Sequence, residues 1–89
     1  MALNRFTLGQ ALRAKREELG LRQDEVAATL HTTQGNLSRW ERDLTTPKQQ
    51  DAYRAVSAFL GVSYAELAGL IAESARNRVL KELALLQEQ

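Results

Sequence analysis

Two short helical stretches separated by only three residues constrain this chain more than any other feature. Gln23 to Leu30 places Val26, Ala27 and Leu30 on one face. A second stretch runs from Gln34 to about Asp43 and turns Leu37 and Trp40 inward, with Leu44 as a further inward candidate. Between them, His31-Thr32-Thr33 leaves room for a tight turn and nothing more. Helices joined so closely can cross steeply only where their contact is small. Ala27 supplies that smallness, while Leu37 and Trp40 supply the surface it packs on.

Glycines and the single proline divide the rest of the chain into further helices. Thr7 is a candidate N-cap for a first helix, with Leu8, Leu12 and Leu19 at helical spacing. Gly20 suits the left-handed residue that ends it. Asp24 and Glu25 favour the first turn of the second helix, and Thr33 is the N-cap expected for the third. Thr45-Thr46-Pro47 then breaks the pattern, because residues before proline resist the helical conformation. A fourth helix is expected from about Gln49 to Leu60, burying Ala52, Val56, Phe59 and Leu60 and stopping at Gly61. Ser63 with Glu66 forms a capping box for a fifth. From Tyr64 onward only Gly69 interrupts the pattern, which fits one long helix or two shorter ones. Leu70, Ile71, Val79, Leu80, Leu83 and Leu86 exceed what the core obviously needs.

Composition narrows the function classes. The chain has 89 residues and no cysteine, which removes disulfides and thiolate metal sites. His31 is the only histidine and has no second ligand to share a metal. No pair of acids sits in a plausible apolar cleft, and there is no phosphate loop or nucleophile motif, so neither catalysis nor a cofactor is expected. The first residues, Met1-Ala2-Leu3-Asn4-Arg5, lack the long apolar run of a signal peptide, and no stretch reads as a membrane span. A cytoplasmic location is the resulting expectation. Net charge is only +1, with eight Lys/Arg against six Asp/Glu in residues 1–48. Charge alone does not name a nucleic-acid partner.

The stretch from Leu21 to Glu41 does. Its arrangement frees the N-terminal face of the third helix to enter a major groove, which is wide enough for an α-helix. The ordered set Arg16, Leu19-Gly20-Leu21, Gln23, Glu25-Val26-Ala27, Leu30, Thr33-Gln34, Leu37-Ser38-Arg39-Trp40-Glu41-Arg42, Pro47 and Leu60-Gly61-Val62-Ser63 resembles the Cro/cI-type (XRE) helix-turn-helix family of DNA-binding proteins. The resemblance runs from about Leu8 to Leu67. It implies an all-α fold, a compact five-helix domain like that of the lambda repressor, with a C-terminal helical extension. The expected division is residues 1–70 for the DNA-binding domain and 71–89 for the extension.

The resemblance also distributes roles. Gln34 matches the glutamine that pairs with adenine, whose N7/N6 edge suits a carboxamide's donor and acceptor. Gln23 matches the glutamine that contacts phosphate and buttresses the reading glutamine. Arg39 is placed to reach a guanine edge, and Gly35 occupies a base-reading position without a side chain to read with. Thr33, Asn36, Ser38 and Arg42 are backbone or supporting contacts. Arg16 and Glu41 match a structural ion pair between the first and third helices, with Arg16 also near a phosphate. Departures from the family pattern are His31 and Asp43, each standing where glycine is usual, and a cation-poor Leu44-Thr45-Thr46 loop.

The functional expectation is a regulator of transcription, a repressor acting on double-stranded DNA as a homodimer joined through the C-terminal helix. The competing expectation is an antitoxin or interaction module whose C-terminal helix binds another protein.

Overall fold

The computed structural model describes residues 6–87, so Met1–Arg5 and the last two residues of the expected 71–89 extension lie outside the described residues. Five helices follow in order: α1 (Leu8–Glu18), α2 (Gln23–Thr29), α3 (Gln34–Glu41), α4 (Gln50–Leu60) and α5 (Tyr64–Gln87). Their common core is built on Leu8, Leu12, Val26, Leu37 and Val56, all fully buried, with Ala27, Leu30, Trp40, Leu67 and Leu70 around them. Burying side chains of this kind stabilises by roughly 1.5–3 kcal/mol each.

Helix starts fall where polar side chains can satisfy free backbone donors. Thr7 Oγ1 accepts the Gln10 N–H at 3.1 Å, and Gln10 Oε1 accepts the Thr7 N–H at 3.0 Å. Thr33 Oγ1 accepts the Asn36 N–H, which fixes the start of α3 at Gln34. Ser63 and Glu66 exchange the same two bonds at the start of α5.

The helix ends share one device. Gly20, His31, Asp43 and Gly61 all adopt left-handed backbone, with φ of 69°, 58°, 60° and 70°. After each, the chain folds back onto the last turn, as in Leu21 N–H to Arg16 O, Thr32 N–H to Ala27 O, Leu44 N–H to Arg39 O and Val62 N–H to Ser57 O. His31 and Asp43 accept a conformation that glycine takes without strain, and both belong to the residue types that tolerate it best.

Two expected core positions are corrected. Leu19 is 50% exposed and Leu44 52% exposed. Leu44 follows the left-handed Asp43, so the helical phase that would have faced it inward no longer applies. Leu19 keeps right-handed backbone and stays in phase, but it caps the far end of α1, whose buried residues all lie between Leu8 and Leu12. Ala52, Phe59 and Leu60 are half-buried, leaving Val56 as the expected α4 core residue that is fully inside. The chain after Ser63 forms a single helix, and α5 runs unbroken through Gly69 and across position 70. Among the described residues no single helix is long and apolar enough to cross a membrane.

Candidate nucleic-acid interface

The α3 helix divides lengthwise into a buried and an open side. Leu37 is fully buried and Trp40 is 6% exposed, which anchors one side against α1 and α2. Gln34, Gly35, Arg39 and Arg42 are exposed and Ser38 half-buried, and at 3.6 residues per turn these five share the opposite side. Thr33 is exposed at the helix start.

Hydrogen bonds order part of that surface in advance. Arg39 Nη2 donates to Asn36 Oδ1 at 2.6 Å, and Asn36 Nδ2 donates to Thr32 Oγ1 at 3.1 Å. Arg42 Nε donates to the Ser38 carbonyl at 3.3 Å. The Gln34 carboxamide has no hydrogen-bond partner among the described residues, so its donor and acceptor both face solvent. A Cβ at Gly35 would meet nothing closer than Arg39 Nη1 at 3.9 Å. The fold itself therefore does not require glycine there.

Behind the open face, Glu41 ties three helices together. Its carboxylate accepts Arg16 Nε at 2.7 Å and Arg16 Nη2 at 3.0 Å, a two-point pair between α1 and α3. It also accepts Gln23 Nε2 at 3.1 Å, which brings in α2. Gln23 thus lies on the C-terminal end of α3, and its partner is Glu41 rather than Gln34. The pair is well shielded, with the Arg16 and Glu41 side chains 16% and 4% exposed. The hydrogen bonds that Arg16 donates to Glu41 raise its pKa above the ordinary value despite the opposing effect of burial. Arg16 Nη1 additionally donates to the Leu21 carbonyl at 3.2 Å, holding the α1–α2 turn.

A second joint, which no sequence motif announces, holds the far end of α3. Asp43 Oδ1 accepts the Gly9 N–H at 3.0 Å and the Ser74 hydroxyl at 2.8 Å, while Ser74 Oγ accepts the Leu8 N–H at 2.9 Å. With the Thr7–Gln10 capping bonds, every free N–H in the first turn of α1 is satisfied. A negative charge at that terminus also suits the helix dipole. Arg78 Nη1 donates to the Asp43 carbonyl at 3.1 Å, so α5 closes over the end of α3. An aspartate standing where glycine is usual is visible in the sequence, but nothing local points to Gly9 or Ser74.

Sequence reasoning also passes over Thr32 and Lys48. A concave surface beside α3 is lined by Thr32, Thr33, Asn36 and Arg39 on one flank and by Thr46, Lys48 and Gln49 on the other. Lys48, two residues before α4 begins, restores a cation to a loop expected to be poor in them. No cluster of potential metal ligands occurs among the described residues.

A family model described as helix-turn-helix matches residues 12–67, more than half of the chain. No curated protein and no solved structure matches it. The match spans both α2 and α3 with the His31-Thr32-Thr33 turn between them. The chain belongs to the helix-turn-helix family of Cro/cI (XRE) type, a family of DNA-binding regulators.

Proposed function

We propose that the protein is a transcriptional repressor that binds a pseudo-palindromic operator as a homodimer, with one α3 in the major groove of each half-site. The open side of α3 carries this reading: Gln34, Gly35, Ser38, Arg39 and Arg42 lie together and outward, backed by buried Leu37 and Trp40. Gln34 reads an adenine edge, and Arg39, braced by Asn36, reads a guanine. Gly35 lets the helix backbone approach the base edges closely. Thr33, Asn36, Ser38 and Arg42 position α3 against phosphates. Gln23 and Arg16 do the same from α2 and α1, each oriented by Glu41. Half-sites in such a complex lie about 34 Å apart, one turn of DNA, or a multiple of it. Repression follows from occupying the promoter and needs no cofactor.

Selection of bound duplexes from a random pool tests this reading. A two-fold symmetric consensus is expected, and recovery of no consensus would remove sequence-specific binding from the account. A second reading, an antitoxin or interaction module, draws support from the exposed Val79, Leu80, Leu83 and Leu86 of α5. It gains ground if the pool yields nothing while a different protein binds α5.

A further inference from the structure

Two stripes run along opposite sides of α5. Leu67, Leu70 and Ser74 are buried against the body, and Arg78 continues the same side toward the Asp43 carbonyl. At about 100° per residue, Ala65, Ala68, Ala72, Val79, Leu83 and Leu86 fall on the far side, and all six are exposed. That stripe is small in its first half and large in its second. Among the described residues Arg78 makes the last hydrogen bond from α5 to the body, and the helix continues beyond it for about 13 Å. On this arm Val79, Leu83 and Leu86 are 54%, 49% and 65% exposed. Apolar residues grouped this way on one surface mark an interaction site.

We propose that a second copy of the chain covers this stripe with its own, the two α5 helices lying antiparallel about a two-fold axis between Ala75 and Arg76. This deepens the homodimer proposed above and rests on it. The pattern of sizes identifies the occupant. Ala65, Ala68 and Ala72 are separated by three and then four residues; Leu86, Leu83 and Val79, read backwards, have the same separations. One antiparallel register therefore sets Ala65 opposite Leu86, Ala68 opposite Leu83 and Ala72 opposite Val79, and the two-fold axis repeats each match. Large residues meet small ones throughout, which is what close packing needs. A parallel pair would instead crowd leucine on leucine at one end and leave alanine facing alanine at the other.

Charge agrees with the same register. Glu73 and Arg76 lie on one edge of the stripe, 3.9 Å apart within the chain. About the two-fold axis the order along this edge is Glu73, the second copy's Arg76, Arg76 and the second copy's Glu73. The two guanidiniums thus meet at the axis with a carboxylate flanking them on each side. On the other edge, Tyr64, Ala68 and Ile71 border a largely apolar groove of about 470 Å³ whose far wall includes Tyr53 and Arg54 of α4. The arm of the second copy runs along this groove with Glu82 on the side toward Arg54.

The chain has no cysteine, so introduced thiols report without background. Ala72→Cys and Val79→Cys chains, mixed under mild oxidation, are expected to give disulfide-linked dimers. Each variant alone is expected to stay unlinked, because its two thiols would stand about 10 Å apart along the axis. Self-linking of either single variant would overturn the antiparallel register. So would the absence of linkage in the mixture while sedimentation shows a dimer, and that outcome leaves the homodimer itself standing. A monomer both free and on DNA would overturn the homodimer and the register together. As a second measurement, Leu83→Glu alters an exposed position and is expected to weaken self-association by at least about tenfold with unchanged helical content. Unchanged self-association would contradict the proposal.

Discussion

The Gly9 amide and the Asp43 carboxylate meet at 3.0 Å, joining the first turn of α1 to the residue just beyond α3. The approach is close enough that a Cβ on Gly9 would stand 2.6 Å from the Trp40 carbonyl oxygen and 2.7 Å from Asp43 Oδ1, and nearer still to the Glu41 carbonyl. Two of those atoms are backbone and cannot rotate away. The orientation of α3 therefore depends on a glycine in a different helix.

Gly9→Ala is accordingly expected to destabilise the fold. In an open helix the same change gains up to about 1 kcal/mol. Here overpacking costs roughly 1–3 kcal/mol or more and reverses the sign. Urea denaturation of the two chains measures it, and a more stable variant would mean that α1 and α3 are not packed this tightly.

The two non-glycine left-handed residues should respond in opposite directions to the same substitution. His31→Gly removes strain, offset in part by the added freedom of the unfolded chain, for a net gain of about a few tenths to 1 kcal/mol. Asp43→Gly removes the same strain but also deletes the acceptor for the Gly9 N–H, while the Ser74 hydroxyl is left with the Leu70 carbonyl at 3.2 Å. Leaving that buried donor unpaired costs about 1–3 kcal/mol, so a net loss is expected. Thermal melts of both variants decide the point, and a gain in both would show that the Asp43 carboxylate contributes little.

Gly35 separates folding from binding. Its Cβ site is open within the chain, so Gly35→Ala should raise stability by up to about 1 kcal/mol. If the backbone of α3 closes on base edges at this residue, the same variant should bind operator DNA more weakly despite its firmer fold. Paired melting and titration measurements test this, and undiminished affinity would leave the glycine without a role at the DNA.

Features carried by neighbours along the chain are legible in the amino-acid sequence itself. Thr7, Thr33 and Ser63 cap where expected, and Gly20 and Gly61 end their helices, because a cap acts within three or four residues. The start of α3 at Gln34 follows from the same local logic. Helical spacing misplaces Leu44 because the periodicity does not survive the left-handed Asp43 before it. It misplaces Leu19 because a residue in phase at the end of α1 lies beyond the part of the helix that the core covers. The Gly9–Asp43–Ser74 joint is hidden for a different reason. Asp43 lies 34 positions from Gly9 and 31 from Ser74, and nothing but the packed fold brings them together. At the interface, spacing and family resemblance pick out Gln34, Arg39 and Gln23 as candidates. The bonds that orient the latter two, between Asn36 and Arg39 and between Gln23 and Glu41, depend on side-chain geometry that spacing does not specify.

In the proposed complex α3 reads DNA sequence from Gln34 outward. The most direct test of this claim is the affinity of the wild type and of Gln34→Ala for the selected operator and for a scrambled duplex, all at one salt concentration. The variant should lose about 1–3 kcal/mol on the operator, roughly 5- to 150-fold in Kd, with its affinity for the scrambled duplex unchanged. An operator-to-scrambled ratio equal to that of the wild type would contradict the claim.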